Sequence, residues 1–294
     1  MSDNNMNSSL KKNNISQMIP LIAGGVLLIF SIFMIFEAFR FDGVNGDFSF
    51  VAIGGKFAYN NIKIFGISFY WIMIISGLIA TLVYSLIRRK TYGVNLFIAV
   101  FLPIFFFVQS LYGAKVLFGI ERVIESHTFS SFNMSGQSLF GSLYFSLITI
   151  PVLALILKKK IFDLFDFISP YWFILLAFTR IGCFTSGCCG AEKMLIGDTV
   201  LYLPVQLFDS ICSLVLLYLC LRAEVKISEK SLKYYIRPYP ILLIGYCICR
   251  FILEFIRKNV PLFYKLSVSQ YHCILFIIIG IIFINIDKKQ KEVN

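Results

Sequence analysis

Long apolar stretches separated by short polar ones dominate the chain, a pattern typical of membrane-spanning helices. A window of about 20 apolar residues is long enough to cross the hydrocarbon core of a bilayer as a helix. The pattern predicts eight helices, at about 18–38, 66–87, 94–118, 136–157, 162–184, 203–221, 239–256 and 269–286. We therefore predict an all-α fold, a polytopic transmembrane helical bundle of about seven to eight spans.

Composition supports this prediction and narrows the class of partner. Of the 294 residues, 58% are hydrophobic and only 15% are charged, whereas a soluble domain is about a quarter charged. The net charge of +11 arises from lysines and arginines in short clusters between the apolar windows. Such clusters favour contact with anionic membrane lipid and argue against nucleic acid as a partner.

The order of the polar segments predicts the orientation and the domain limits. With eight spans, the main basic clusters all fall on one side, so the positive-inside rule puts both termini in the cytoplasm. We divide the chain into a polar N-terminus (1–17), an additional N-terminal transmembrane helix (18–38), a membrane domain (39–286) and a tail (287–294). A cleaved secretory signal is the alternative for the first helix, but its apolar run is longer than the usual stretch of about 7–15 residues.

Two arginines inside apolar stretches indicate a binding site for an anion. Placing Arg180 or Arg250 deep in a bilayer costs about 3 kcal/mol, so such residues are usually kept for a function. Arg250, Glu254 and Arg257 follow at i, i+4 and i+7, which puts them on one helical face. The pattern favours contact with a lipid phosphate; the alternative is a buried ion pair with Glu254 or Asp209.

Three of the eight cysteines cluster in the sequence, at Cys183, Cys188 and Cys189. Their spacing differs from the Cys-x-x-Cys of thiol oxidoreductases, and it leaves open a structural disulfide, plain packing, or redox or metal chemistry. We predict no metal and no other cofactor.

Several motifs, taken in order, resemble those of the prolipoprotein diacylglyceryl transferase family. Arg180-Ile-Gly-Cys-Phe-Thr-Ser-Gly187 resembles the family's Arg-Ile-Gly-Asn-Phe-x-Asn-Gly, and Arg250-Phe-Ile-Leu-Glu254-Phe-Ile-Arg257 resembles its Arg-Phe-x-x-Glu-Phe-x-Arg. The order and spacing of the matches are kept from about residue 66 to residue 286. The other matching segments are Ser68-Phe-Tyr70-Trp-Ile-Met73, Gly113-Ala-Lys115, Pro204-Val-Gln206-Leu-Phe-Asp209 and Leu266-Ser-Val-Ser-Gln270.

The resemblance implies an enzyme of the bacterial inner membrane that needs no cofactor. It would transfer diacylglyceryl from phosphatidylglycerol to the lipobox cysteine of a prolipoprotein, forming a thioether and releasing glycerol phosphate. Its partners would be phosphatidylglycerol, lipobox-containing prolipoproteins and membrane lipid. The catalytic residues implied are Arg180, Arg250 and Glu254. The substrate-binding residues implied are Arg180, Tyr70, Gly182, Gly187, Gln206, Arg257 and Gln270.

Three positions depart from the family's motifs. Phe140 stands where the resemblance places a histidine, Cys183 stands for an asparagine, and Cys188 stands for an acidic residue. Phenylalanine cannot transfer a proton, so the departure predicts a mechanism that depends on positioning and electrostatics, or another base, for which His127 is a candidate. Two alternatives to the transferase are a membrane thiol oxidoreductase that uses the three clustered cysteines and a non-catalytic phospholipid-binding homologue.

Overall fold

The computed structural model describes residues 63–64, 66–186, 194–196, 199–201, 204–229, 237–257 and 266–293. The predicted helix at 18–38 and the polar N-terminus lie outside the described residues. So do three residues singled out from the sequence, Gly187, Cys188 and Cys189.

Within this part of the chain the fold is all-α apart from two short hairpins. Three helices are about two turns longer than predicted, because an apolar pattern stops at the bilayer interface whereas the backbone hydrogen bonds of a helix continue beyond it. The helices are α1 (Phe69–Arg88), α2 (Leu96–Ser126), α3 (Leu139–Ile156), α4 (Ile161–Thr185), α5 (Val205–Glu229), α6 (238–254) and α7 (Val268–Val293). The three helices that are longer than predicted are α2, α5 and α7.

Helix α6 is the irregular member of the bundle. It consists of Pro238–Pro240, a π-helical segment at Ile241–Tyr246, and Cys247–Glu254. Each of the other six helices contains an apolar stretch long enough to cross a membrane. The predicted polytopic helical bundle, a multi-pass membrane protein, is therefore confirmed.

Two antiparallel hairpins were not predicted from the sequence. In the first, β1 (Lys63–Ile64) pairs with β2 (Ile67–Ser68) directly before α1. In the second, β3 (Met194–Ile196) pairs with β4 (Thr199–Leu201) between α4 and α5. Each strand has only two or three residues, too few for the alternation of polar and apolar residues that identifies a strand.

Helix α4 forms the centre of the bundle. In its apolar window 78% of the residues are buried, against 28% in α1 and 22% in α7. The outer helices expose large apolar side chains such as Phe97, Ile148 and Leu155, which a protein in water would bury and which fit contact with lipid. Polar side chains on α4 therefore face protein rather than hydrocarbon, and Arg180 is one of them.

Small residues bring helices α2 and α3 into close contact. A Cβ atom added at Gly141 would lie 2.0 Å from the carbonyl oxygen of Gly113, and one added at Gly113 would lie 2.6 Å from that of Gly141. Backbone-to-backbone contact at this distance excludes any side chain. The two glycines thus fix how α2 lies against α3 near the site described below.

Candidate active site

A cavity of about 620 Å³ opens at the end of the bundle where α2 and α4 finish and α3 and α7 begin. Its wall combines charged side chains with apolar ones from the bundle interior, including Phe106, Trp172 and Leu175. A mixed lining of this kind suits a ligand with a charged head and an apolar body. The charged side chains that line it are Arg180, Arg250, Glu254, Arg257, Glu121 and Glu125.

One carboxylate joins the two arginines that were predicted as the anion site. Arg180 Nε lies 2.7 Å from Asp209 Oδ2, and Arg250 Nη1 lies 3.2 Å from the same oxygen. All three side chains are at least nine-tenths buried. The buried ion pair considered as the alternative from the sequence is therefore present, and both arginines also line the cavity.

Glu254 contacts two other members of the charged cluster, which consists of Arg180, Asp209, Arg250, Glu254 and Arg257. Its Oε2 is 3.1 Å from Arg250 Nη2 and 3.6 Å from Arg257 Nη1, and its Oε1 accepts a hydrogen bond of 3.2 Å from the Ser267 hydroxyl. The single charged face predicted for Arg250, Glu254 and Arg257 is thus confirmed. Among the described residues, the cluster contains three guanidinium groups and, with Asp209, two carboxylates.

Tyr70 and Gly182 meet where α1 packs on α4. Tyr70 lines the cavity. A Cβ atom added at Gly182 would lie 3.1 Å from the Tyr70 ring and 3.3 Å from Met73 Cβ, so this position has little room for a side chain. Gly182 therefore sets the distance between α4 and the tyrosine.

The two glutamines predicted to bind substrate, Gln206 and Gln270, occupy different positions in the fold. Gln206 is buried in the first turn of α5, three residues before Asp209. Gln270 forms a reciprocal capping pair with Ser267: its side-chain oxygen accepts from the Ser267 amide at 2.9 Å, and its own amide donates to the Ser267 hydroxyl at 3.3 Å. This capping box fixes the start of α7 and the serine that contacts Glu254.

Of the clustered cysteines, only Cys183 lies in the described part of the chain, where it is buried and lines the cavity. Among the described residues, no group of three or more His, Cys, Asp or Glu side chains could hold a metal ion. His127, the candidate base, is exposed at the left-handed C-cap of α2. Phe140 is buried.

Glu121 and Ser138 also line the cavity, although the sequence pattern did not identify them as site residues. Glu121 lies on α2 and Ser138 is the N-cap of α3, and the Ser138 hydroxyl donates to Glu121 Oε1 at 2.7 Å. An acidic residue in a helix that spans a membrane is by default a candidate functional residue. That signal was hidden because α2 was predicted to end at residue 118, which placed Glu121 in a loop.

Comparisons with known proteins agree on one family. Residues 58–286 match a family model described as prolipoprotein diacylglyceryl transferase. The chain is 28% identical over 253 residues to the phosphatidylglycerol–prolipoprotein diacylglyceryl transferase of Clostridium tetani (strain Massachusetts / E88), covering 79% of this chain and 96% of the relative. It is 30% identical over 253 residues to the phosphatidylglycerol–prolipoprotein diacylglyceryl transferase 2 of Clostridium perfringens (strain 13 / Type A), covering 77% and 94%.

Proposed function

The chain belongs to the prolipoprotein diacylglyceryl transferase family, and from this premise we propose that it transfers diacylglyceryl from phosphatidylglycerol to a cysteine thiol of a prolipoprotein. The sulfur–carbon bond forms as the bond between the glyceryl carbon and the phosphate oxygen breaks. The electron pair of that bond stays with the phosphate, and glycerol phosphate leaves. The acceptor thiol lies in a lipobox, and membrane lipid supplies the donor.

The observation that carries this proposal is the cluster of buried arginines at the wall of a partly apolar cavity. As the glyceryl–oxygen bond breaks, negative charge grows on the phosphate. Buried guanidinium groups aimed at that charge stabilise it with little reorganisation, because Asp209 and Glu254 already hold them in place. Arg180 and Arg250 are thus the phosphate-binding and catalytic residues of the proposal.

Glu254 orients the arginines in this scheme. Its carboxylate contacts Arg250, Arg257 and Ser267, which is the arrangement of a residue that fixes other side chains. Tyr70, Gly182, Gln206 and Gln270 support the donor lipid or the helices around it, and Gly187, which lies outside the described residues, stays a predicted substrate-binding residue. The apolar side chains in the cavity wall accept the upper part of the diacylglyceryl chains.

The arrangement of charge along the bundle supports an orientation in the bacterial inner membrane. The cavity lies at one end, while Arg88–Lys90, Lys158–Lys160 and Lys288 lie at the ends of helices that point the other way. The positive-inside rule then favours a cytoplasmic location for the basic end and the C-terminus, with the cavity at the outer leaflet. The helix predicted at 18–38 would return the N-terminus to the cytoplasmic side. An exported prolipoprotein reaches the cavity from that side.

The test is a direct assay of the reaction. Protein purified in mild detergent is mixed with phosphatidylglycerol and a lipobox peptide, and the diacylglyceryl–peptide adduct is measured by mass spectrometry. We expect an adduct with the unchanged chain and its loss in Arg180→Ala. Arg222→Ala is the matched control, because Arg222 is exposed on α5 and contacts Tyr218.

The outcomes separate the candidate functions. If Arg180→Ala forms the adduct as fast as the unchanged chain, the assigned role of the cluster is wrong. A folded, lipid-binding protein that forms no adduct would instead favour the non-catalytic phospholipid-binding alternative. The thiol oxidoreductase interpretation predicts loss of function on alkylation of Cys183, Cys188 or Cys189, with Arg180→Lys tolerated.

A further inference from the structure

A chain of hydrogen bonds joins three helices at the cavity wall. The Tyr144 hydroxyl lies 2.8 Å from His272 Nδ1, and His272 Nε2 lies 3.1 Å from Glu121 Oε1. Ser138 donates to that same carboxylate oxygen. Tyr144 belongs to α3, His272 to α7 and Glu121 to α2. Residues from three helices therefore form one chain of hydrogen bonds that ends at a carboxylate lining the cavity.

The bonds have a consistent direction. A neutral imidazole offers one N–H donor and one acceptor nitrogen. When His272 Nε2–H donates to Glu121, its Nδ1 accepts from the Tyr144 hydroxyl, so every bond of the chain donates towards the carboxylate. Glu121 is thus the terminal acceptor, and a carboxylate has a second oxygen for a further partner.

Aromatic packing holds the imidazole in this position. The His272 ring centroid is 5.3 Å from that of Phe140 and 5.4 Å from that of Tyr144, which lies edge-on at 77°. Phe140 is almost completely buried. An imidazole therefore lies beside Phe140, although it comes from α7 and not from α3, which carries Phe140.

We propose that Glu121 is the base that accepts the proton of the acceptor thiol, and that His272 and Tyr144 are positioning residues that act through it. This inference rests on the proposed function. Glu121 lines the same cavity as the arginines that bind the donor phosphate, and the thiol must enter that cavity to reach the glyceryl carbon. The thiolate, and not the thiol, is the nucleophile.

The proposed step balances as follows. The thiol proton passes to Glu121 as the sulfur attacks the glyceryl carbon, and the carbon–oxygen bond to phosphate breaks. The thioether forms, and the electron pair remains on glycerol phosphate. The proton on Glu121 then leaves with glycerol phosphate or with water, which restores the carboxylate. His272 and Tyr144 keep the carboxylate in place throughout.

The competing interpretation is that Glu121 only fastens α2 to α3 and α7. A comparison of two acceptor peptides separates these roles: a lipobox peptide with cysteine, and the same peptide with selenocysteine. A selenol is already ionised at neutral pH and needs no base. A base variant should therefore fail with the thiol and work with the selenol, whereas a structurally damaged enzyme fails with both.

The variants are Glu121→Gln and His272→Gln, assayed for kcat and KM with each peptide and phosphatidylglycerol. General base catalysis contributes about 100-fold or more to a rate. For Glu121→Gln we expect kcat with the cysteine peptide to fall by about that factor, with KM nearly unchanged and most of the rate kept with the selenocysteine peptide. His272→Gln, whose amide can still donate to Glu121, should show a smaller loss with the same selectivity for selenium.

Arg122→Gln is the matched control, because Arg122 follows Glu121 on the same helix, is exposed and does not line the cavity. It should retain its rate with both peptides. An equal loss with the two peptides in Glu121→Gln, or no loss, would overturn the assignment of Glu121 as the base. If the unchanged chain forms no adduct with either peptide, the proposed function fails and this inference fails with it.

Discussion

At the scale of single residues, Asp209 and Glu254 explain how three arginines can lie together in an apolar bundle. Each carboxylate contacts two guanidinium groups, and Arg250 contacts both carboxylates. Removing one member of a buried ion pair leaves an uncompensated charge, which is strongly destabilising. The cluster is therefore a single electrostatic unit in which each carboxylate holds two guanidinium groups in place.

The geometry of the guanidinium group should matter at Arg180 in addition to its charge. Lysine keeps the charge but cannot present two parallel N–H donors to a phosphate or a carboxylate. We expect Arg180→Lys to lower kcat/KM for diacylglyceryl transfer by about 10- to 100-fold, which corresponds to the loss of one charge-assisted hydrogen bond. Arg222→Lys is the control, and equal activity of the two variants would show that charge alone suffices.

At the scale of secondary-structure elements, the approach of α2 to α3 determines whether the cavity wall forms. The contact between Gly113 and Gly141 sets the spacing of these helices. Glu121 lies on α2, beyond Gly113, and Tyr144 lies on α3, one turn beyond Gly141. A change in the spacing of the helices would therefore move the carboxylate away from its hydrogen-bonded partners.

Substitution of the interhelical glycine should test this dependence. In Gly141→Ala the new methyl group would overlap the Gly113 carbonyl, and an overlap with backbone cannot be relieved by a rotamer change. We expect a loss of stability of about 1–3 kcal/mol, seen as a lower thermal midpoint in detergent, together with reduced transfer. Gly245→Ala is the control, because its new methyl group would lie 3.0 Å from the end of the flexible Leu216 side chain. Equal midpoints for the two variants would contradict the proposed role of the glycine contact.

At the scale of the whole molecule, charged clusters occupy both ends of the bundle. The end away from the cavity is held by Arg237, which contacts Asp163 and Asp166 at 2.5 Å and Asp287 at 3.1 Å. Burial lowers the pKa of Arg237, but the neighbouring carboxylates raise it by more, so the net shift is upward. This cluster joins the segment before α6 to α4 and α7, far from the chemistry.

Loss of that cluster should affect stability and not the chemical step. Arg237→Leu leaves the buried Asp166 without its guanidinium partner, which we expect to cost about 3 kcal/mol. The thermal midpoint should fall, while the kcat of the protein that remains folded should be close to that of the unchanged chain. A lower kcat at an unchanged midpoint would contradict the separation of the two ends.

The orientation of the whole bundle can be tested by labelling. His127 lies at the end of α2 on the cavity side, and Lys160 lies before α4 at the opposite end. A membrane-impermeant maleimide should label His127→Cys in intact spheroplasts, and Lys160→Cys only after permeabilisation. The unchanged chain gives the background from the native cysteines. The reverse labelling pattern would place the cavity on the cytoplasmic side.

The sequence by itself determined the membrane bundle, the order of its helices and part of the site. These features depend on local periodicity and on the cost of burying charge, both of which are visible in a single stretch of chain. Arg250, Glu254 and Arg257 could be placed on one face because a helix brings residues three and four apart together. Arg180 could be identified because a guanidinium inside an apolar stretch requires an explanation.

The tertiary structure alone decided which distant residues meet. Asp209 bonds Arg250 across 41 residues, Tyr144 bonds His272 across 128, and His272 bonds Glu121 across 151. These contacts follow from how the helices pack around α4 and from the close approach that glycines allow between α2 and α3. Local periodicity says which face of a helix is buried, but not which helix covers it, so the carboxylate at the cavity wall became visible only in the folded chain.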